Sequence, residues 1–299
     1  DVMRLMAAGV STRNYDPALG RISDGLGLKK SAVSSAFQRA SQKDLDALNG
    51  RPLGEWTFVA VFIDGTSFAD HTCIVALGVT QDGSKKILGV REGATENSVL
   101  VGDLLADLVE RGLELTPRAL FILDGSKALA KAVHEAFGRH AIVQRCVLHK
   151  TRNVLSYLPL KWQTEARRRL TAAWNMTSYA DAKDALVKVL EWLGKLNESA
   201  AASLREGFED TLTVHRLGVT GTLRKTLITT NPIESTFDIV VKFARRVKRW
   251  NGASMVMRWV GSGLVRAESQ FRRVKGHKEI PELIAALESE SLKDSKDVA

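Results

Sequence analysis

Two aspartates and one glutamate carry the chemistry for which this chain can be read. Asp64 follows the run Thr57 to Ile63 and precedes Gly65, and Asp124 follows Ala119 to Leu123 and precedes Gly125. Each stands where an apolar run of little alternation stops, and a strand apolar on both faces is central in its sheet. Two such strands side by side with level ends would bring both carboxylates to one rim. Carboxylates converging at about 4 Å repel one another unless a divalent cation lies between them. Paired Mg²⁺ ions, for which Mn²⁺ can substitute, are what phosphodiester chemistry uses to activate water and stabilise the leaving oxygen. Glu234, in Asn231-Pro232-Ile233-Glu234-Ser235, is the candidate third oxygen ligand. With Asn231 as N-cap and Pro232 as the first helical residue, Glu234 falls at N3, where it equally suits the return half of a capping box. An aspartate after a strand is likewise an ordinary turn starter. These plainer roles fit each residue alone better than they fit the three together.

The helix expected to start at Asn231 leads into the most basic stretch of the chain. Between Lys242 and Lys278 eleven Lys and Arg face a single acid, Glu268. Lys242, Arg245, Arg246 and Arg249 recur at helical spacing, which predicts a phosphate-binding stripe on a helix running towards Trp250. The whole chain, 43 Lys+Arg against 34 Asp+Glu, has a net charge of +9 and a pI near 9.6, favouring a nucleic-acid partner over a membrane. Two cysteines in 299 residues exclude a disulfide framework and fit a reducing, cytoplasmic setting. Cys73 reads as a small core residue. Cys146-Val147-Leu148-His149 has spacing that can hold a metal, but a second Cys/His pair at zinc spacing is missing. Phosphate-binding loops, nucleophile elbows and dinucleotide fingerprints are absent, as are an apolar run of membrane-spanning length and a secretory signal. The first residue is Asp1 rather than Met, so a start inside a longer natural protein, or processing, is expected.

The elements that must position these residues follow from periodicity. Residues 1–54 read as a small helical region and linker, with Gly9, Gly20, Gly25 and Gly27 as punctuation and a basic helix over Leu28 to Arg39. That helix is either the second helix of a helix-turn-helix or a surface helix packed on the next domain. Leu48 to Gly54 reads as the linker. Residues 55–158 read as the first part of a mixed α/β core: strands over Thr57–Ile63, Thr72–Val79 and Lys86–Val90, with a hairpin at Asp82-Gly83. A helix over Asn97–Leu113, a strand over Ala119–Leu123, a helix over Lys127–Phe137 and a strand from Ala141 complete it. Residues 159–228 read as an all-α insertion with a stripe at Leu186, Val189, Leu190, Leu193 and Leu196, whose Trp162, Trp174 and Trp192 are core anchors more readily than base-stacking platforms. Residues 229–299 read as the last part of the core, with basic helices broken at Asn251-Gly252 and a disordered polar tail after Leu287.

Four motifs, Phe62-Ile63-Asp64-Gly65, Ile122-Leu123-Asp124-Gly125, Gln144-Arg145-Cys146-Val147-Leu148-His149-Lys150 and Thr230-Asn231-Pro232-Ile233-Glu234-Ser235, occur in this order. Together they resemble the Mutator-type transposases of bacterial insertion sequences over nearly the whole chain. The resemblance implies a ribonuclease-H-like mixed sheet flanked by helices and a DDE triad of Asp64, Asp124 and Glu234, interrupted by an all-α insertion. It also implies a Cys-x-x-His signature at Cys146 and His149. The expected activity is metal-dependent cleavage of transposon-end DNA and strand transfer into target DNA, by a homodimer assembled on double-stranded DNA. Lys242 and Arg245 are expected to hold the scissile or adjacent phosphate, and His149 to orient the active-site helix or touch DNA. A ribonuclease-H-like nuclease such as a junction resolvase, or a non-catalytic transposase-derived DNA-binding protein, are the alternatives.

Overall fold

Runs of β-branched and aromatic residues form a five-stranded mixed sheet in a computed structural model that describes residues 30–68, 70–93 and 98–296. The strands are β1 (Thr57–Phe68), β2 (His71–Thr80), β3 (Lys85–Gly93), β4 (Glu114–Leu123) and β5 (Ala141–Arg145), in the order β3-β2-β1-β4-β5. β1 is central, antiparallel to β2 and parallel to β4, with β5 parallel to β4. The first three strands form the expected meander, and Gly83, at φ +84°, makes its second turn possible.

Register sets the geometry of the site. The parallel ladder ends at Ile63 opposite Leu123, so the next residues, Asp64 and Asp124, stand side by side at its end. The expectation of level strand ends holds against β4, but Asp64 does not end its own strand. β1 continues to Phe68 in the hairpin with β2, where Asp64 faces Val75. Gly65 is therefore a strand residue and not a turn. Gly125 is a true turn glycine: its φ is +104°, and a Cβ there would collide with the Arg145 guanidinium.

Helices cover both faces of the sheet. On one face α2 (Ser98–Glu110) and α3 (Lys127–Phe137) bury Val101, Leu104, Leu105, Leu108, Leu129 and Val133 against Phe58, Val61, Ile63 and Phe121. On the other, α1 (Lys30–Gly50), α10 (Asn231–Ala244) and α11 (Ala253–Glu268) share one apolar cluster with Phe62, Val75 and Ile122. α1 does not stop at Arg39 or leave Leu48 to Gly50 as linker. Its residues Val33, Phe37, Ser41, Leu45 and Leu48 form a buried stripe, with Phe37 4.5 Å from the Trp259 ring. Asn49 at its end bonds the backbone of Val90, and Glu268 of α11 accepts the Ile87 N–H, so the outer edge of β3 is covered. The glycines and first helix expected before residue 30, and the helix start at Asn97, lie outside the described residues.

After β5 the chain is helical, as expected. α4 (Val147–Ser156) leads into α5 (Leu160–Asn175), α6 (Tyr179–Leu196), α7 (Glu198–Arg205) and the short α8 (Thr213–Arg216) and α9 (Gly221–Leu227). Leu186, Val189 and Leu193 are buried, with Leu190 and Leu196 packed at the margin. Trp174 is buried with its indole N–H on Thr211, and Trp162 and Trp192 meet edge to face, so the tryptophans serve packing.

Two expectations towards the C-terminus are corrected. α10 ends at Ala244 and does not approach Trp250, because the chain must turn after buried Phe243 and Ala244 for Trp250 to pack on Trp259 and Phe68. Residues 288–296 are not a loose tail. α12 (Ile280–Lys296) continues through them, anchored by buried Ile280, Leu283 and Leu287 and by Arg216 on Glu290 at 2.6 Å.

Gln144 at the end of β5 ties core to insertion. Its amide donates to the Thr211 carbonyl at 3.0 Å and its Oε1 accepts the Val214 N–H at 2.9 Å. All three groups are buried, so Gln144→Ala should destabilise the protein by about 1–3 kcal/mol in urea unfolding. A change below half a kcal/mol would show that this tie is dispensable.

Candidate active site

The rim built by β1 and β4 is completed by two helix starts. Asp64 is buried and Asp124 half-buried. Asp64 Oδ1 accepts its neighbour's Gly65 N–H, and Asp124 Oδ1 accepts the Ser126 N–H at 2.7 Å, which fixes the Asp124-Gly125 turn into α3. Cys146 then starts α4 directly after β5, with its N–H on the Leu123 carbonyl beside Asp124. Val147 N–H reaches the Ile228 carbonyl, bringing the start of α10 to the start of α4.

Thr230 is the hub of this junction. It is fully buried, and its backbone carbonyl accepts from Glu234 N–H, so Thr230 rather than Asn231 is the helix cap. Its hydroxyl bonds the Glu234 carboxylate at 2.8 Å and lies 3.3 Å from both Cys146 Sγ and His149 Nδ1. Glu234 therefore does not fold back onto the Asn231 backbone as a capping box requires. Instead it is held half-buried between Thr230, His149 Nε2 at 3.9 Å and Arg152 at 3.8 Å.

Asp64, His149 and Glu234 each offer a ligand atom within 4.8 Å of the others. Asp124 is outside that group but close enough for its charge to act on Asp64. Burial, with further pushes from Asp124 and Glu234, raises the Asp64 carboxyl to about 7 despite the opposing pull of His149 and the Gly65 N–H. His149 is held above its ordinary value, first by its hydrogen bond to Cys146 and also by Cys146, Asp64 and Asp124 charge, against burial. Burial pushes the Cys146 thiol up, but hydrogen bonds from His149 and Thr230 outweigh it and leave it lowered. Cys146 thus braces α4 against α10 from inside, and the Cys-x-x-His spacing puts His149 one turn later at the carboxylates.

Of the residues read from the sequence, Asp64, Glu234 and His149 meet here, and Asp124 stands beside Asp64 outside that group. Lys242 is exposed on α10 two turns beyond Glu234, whereas Arg245, Arg246 and Arg249 are exposed in the turn and connector after the helix. They do not continue a helical stripe. Two contributors were missed. Thr230 directly precedes Asn231, and Arg152, 3.1 Å from His149, stands three residues after it on the same helix, a spacing that could have flagged it.

Comparison with known proteins bears on this arrangement. The family described as "Transposase, Mutator family" matches residues 1–274. The chain belongs to the Mutator family of transposases. The transposase for insertion sequence element IS6120 of Mycolicibacterium smegmatis is 30% identical over 78% of this chain and 72% of its own length. That for element IST2 of Acidithiobacillus ferrooxidans is 30% identical over 72% of this chain and 71% of its own, and that for IS256 in transposon Tn4001 of Staphylococcus aureus is 25% identical over 88% and 68%. Among the described residues of this family member, no helix is long and apolar enough to cross a membrane.

The raised Asp64 carboxyl has a consequence for stability. An acid raised from 3.8 to about 7 favours the folded state at low pH and loses that contribution as pH rises through 7. Without divalent cations, Asp64→Asn should therefore melt above the wild type at pH 8, and the gap should narrow as pH falls below about 7 and close only near pH 4. A gap independent of pH would refute the assignment.

Proposed function

We propose that the chain is a DDE transposase with a ribonuclease-H-like core, cutting transposon-end DNA and joining it to target DNA. The observation that carries this reading is the approach of Asp64 to Glu234 and His149, whose ligand atoms lie within 4.8 Å of one another, with Asp124 beside Asp64 where the parallel β1–β4 ladder ends. The strand order, with an antiparallel meander followed by two strands parallel to β1, fits such a core.

The donor set fits hard divalent cations. The oxygens are carboxylate oxygens, and a carboxyl forced up to about 7 by burial and like charge is one that a cation would stabilise as its anion. Asp64, Asp124 and Glu234 would hold Mg²⁺, or Mn²⁺ in its place. Such a cation supplies Lewis acidity, activating water and neutralising phosphate charge.

The chain's own side chains do the positioning. The Thr230 hydroxyl and Arg152 fix the Glu234 carboxylate, so its orientation is set before DNA arrives. His149, its Nδ1 at Thr230 and its Nε2 facing Glu234, orients the start of α10 and presents a ring edge to the site. Lys242 and, beyond the helix end, Arg245, Arg246 and Arg249 offer exposed cations to the DNA backbone. A water-derived hydroxyl attacks the phosphodiester at the element end and the 3′-oxygen leaves; that 3′-hydroxyl then attacks a target phosphodiester, expelling one target strand end. Phosphoryl oxygen count is unchanged at each displacement, and no protein atom becomes bonded to DNA. Bringing two ends together calls for two copies of the chain.

Asp64→Asn, Asp124→Asn and Glu234→Gln should each lower Mg²⁺-dependent nicking and joining of element-end DNA by at least about a thousandfold while retaining affinity for it. Nicked and joined strands are resolved on denaturing gels. Cleavage without joined product would favour the nuclease reading, and nicking by the variants at the wild-type rate would remove the carboxylates from the chemistry.

A further inference from the structure

A groove of about 900 Å³ opens beside the first turn of α10, lined there by Asn231, Pro232 and Ser235 but not by Glu234. Its other walls come from the start of β3, from α9 and from residues 272–275 after α11. Five cations line it, Lys85, Lys225, Arg272, Arg273 and Lys275, and no carboxylate does. Arg273 is paired with Asp82 at 3.3 Å, whereas Lys225, Arg272 and Lys275 are exposed and have no ion-pair partner among the described residues. Lys85 lies 4.5 Å over the Phe271 ring, where burial holds its ammonium below the ordinary value.

A second observation points to a ligand. Thr229 is only 6% exposed, lines the groove, and its buried Oγ1 finds no partner in the protein. Buried hydroxyls are ordinarily satisfied, so this one in the groove wall has unused hydrogen-bonding capacity. The positive end of the α10 dipole adds to the field. The walls are also fixed in advance. Val274 N–H bonds the Gly83 carbonyl, Thr226 bonds the Lys275 carbonyl, and Glu279 accepts from Leu223 N–H. Gly276, at φ +81°, lets this segment pass so close to α9 that a Cβ would collide with the Leu223 backbone.

We propose that this groove seats the sugar-phosphate backbone of a DNA duplex, as a phosphate-binding surface separate from the Lys242–Arg249 run. The proposal rests on the transposase reading. Cations spread along several walls suit a chain of phosphates better than one compact anion, and Asn231 and Ser235 bracket Glu234 in sequence. DNA lying in the groove therefore passes within one helical turn of the carboxylate site.

The test is binding of the full chain to two labelled duplexes, one of random sequence and one carrying the element's own terminus, followed by fluorescence anisotropy across a salt series. The triple variant Lys225→Ala, Arg272→Ala, Lys275→Ala should bind at least about tenfold more weakly near 0.1 M salt, with a log–log salt slope shallower by about 3, since each lost phosphate contact removes about 0.9. The pair Lys225→Arg, Lys275→Arg should keep wild-type affinity. Weakening on both duplexes assigns the groove to backbone of any sequence, and weakening on the terminal duplex alone assigns it to element ends. Thr229→Val should lower affinity several-fold without lowering the melting temperature of the free protein. Should the triple variant melt early, Lys275→Gln carries the test with a slope change of about 1. Wild-type affinity and slope in these charge-removing variants would overturn the groove alone. A wild-type protein that binds neither duplex would overturn the transposase reading as well.

Discussion

Repulsion between like charges at the rim of β1 and β4 is the constraint on which the rest of the structure depends. Carboxylates drawn to one partly buried place would part if their supports were soft; burial raises the Asp64 carboxyl to about 7, with smaller upward pushes from Asp124 and Glu234. Each is therefore mounted on something stiff. Asp64 is within a strand, still paired to β2 one residue beyond its parallel ladder with β4, Asp124 in a turn that only glycine can follow, and Glu234 in a helix start clamped by a buried threonine. Charge concentrated at a functional site destabilises the free protein, and the large apolar cluster behind it supplies the offset.

Stiffness is transmitted by residues without a chemical role. Gln144 and Arg145 end β5 by bonding the insertion, the latter through the Glu206 backbone and carboxylate. Lys150, fully buried on α4, donates to the Ser203 and Glu206 carbonyls. Burial, aided by the Arg145 charge, lowers its ammonium to about 8 against the opposing pull of the Glu206 carboxylate. The insertion thus buttresses the helix that carries His149. Most of the motif running from Gln144 to Lys150 has a role: Gln144, Arg145 and Lys150 lock β5 and α4 onto the insertion, Cys146 locks α4 onto α10, and His149 faces the carboxylates.

Positive charge is arranged differently. Its carriers are exposed and mostly unpaired, on α10, on the connector behind it and along the groove beside its first turn. Exposed cations contribute little to folding, so their abundance around one helix is a property of the partner surface. α10 consequently separates two environments within a single turn: Thr230 and Glu234 look towards the carboxylates, and Asn231 and Ser235 line the basic groove.

The sequence by itself determined the strands and most helices, and singled out both aspartates and the glutamate as candidates, because apolar periodicity and Asp-Gly pairs after apolar runs are local signals. It also determined the concentration of charge after Lys242 and the Cys-x-x-His pair. Only the tertiary structure decided that Glu234 is clamped by Thr230 and not capping its own helix, since the Cys146 and His149 that compete for that hydroxyl come from more than eighty residues away. It decided that β1 runs on past Asp64, because the partner that extends it, β2, is a different strand from the one whose end is level with it. It also decided that α10 stops at Ala244, where packing of Trp250 on Trp259 overrode a periodicity that exposed arginines alone had suggested. Spacing in the chain fixes which residues share a face; which distant groups meet them is fixed only when the sheet and insertion close around them.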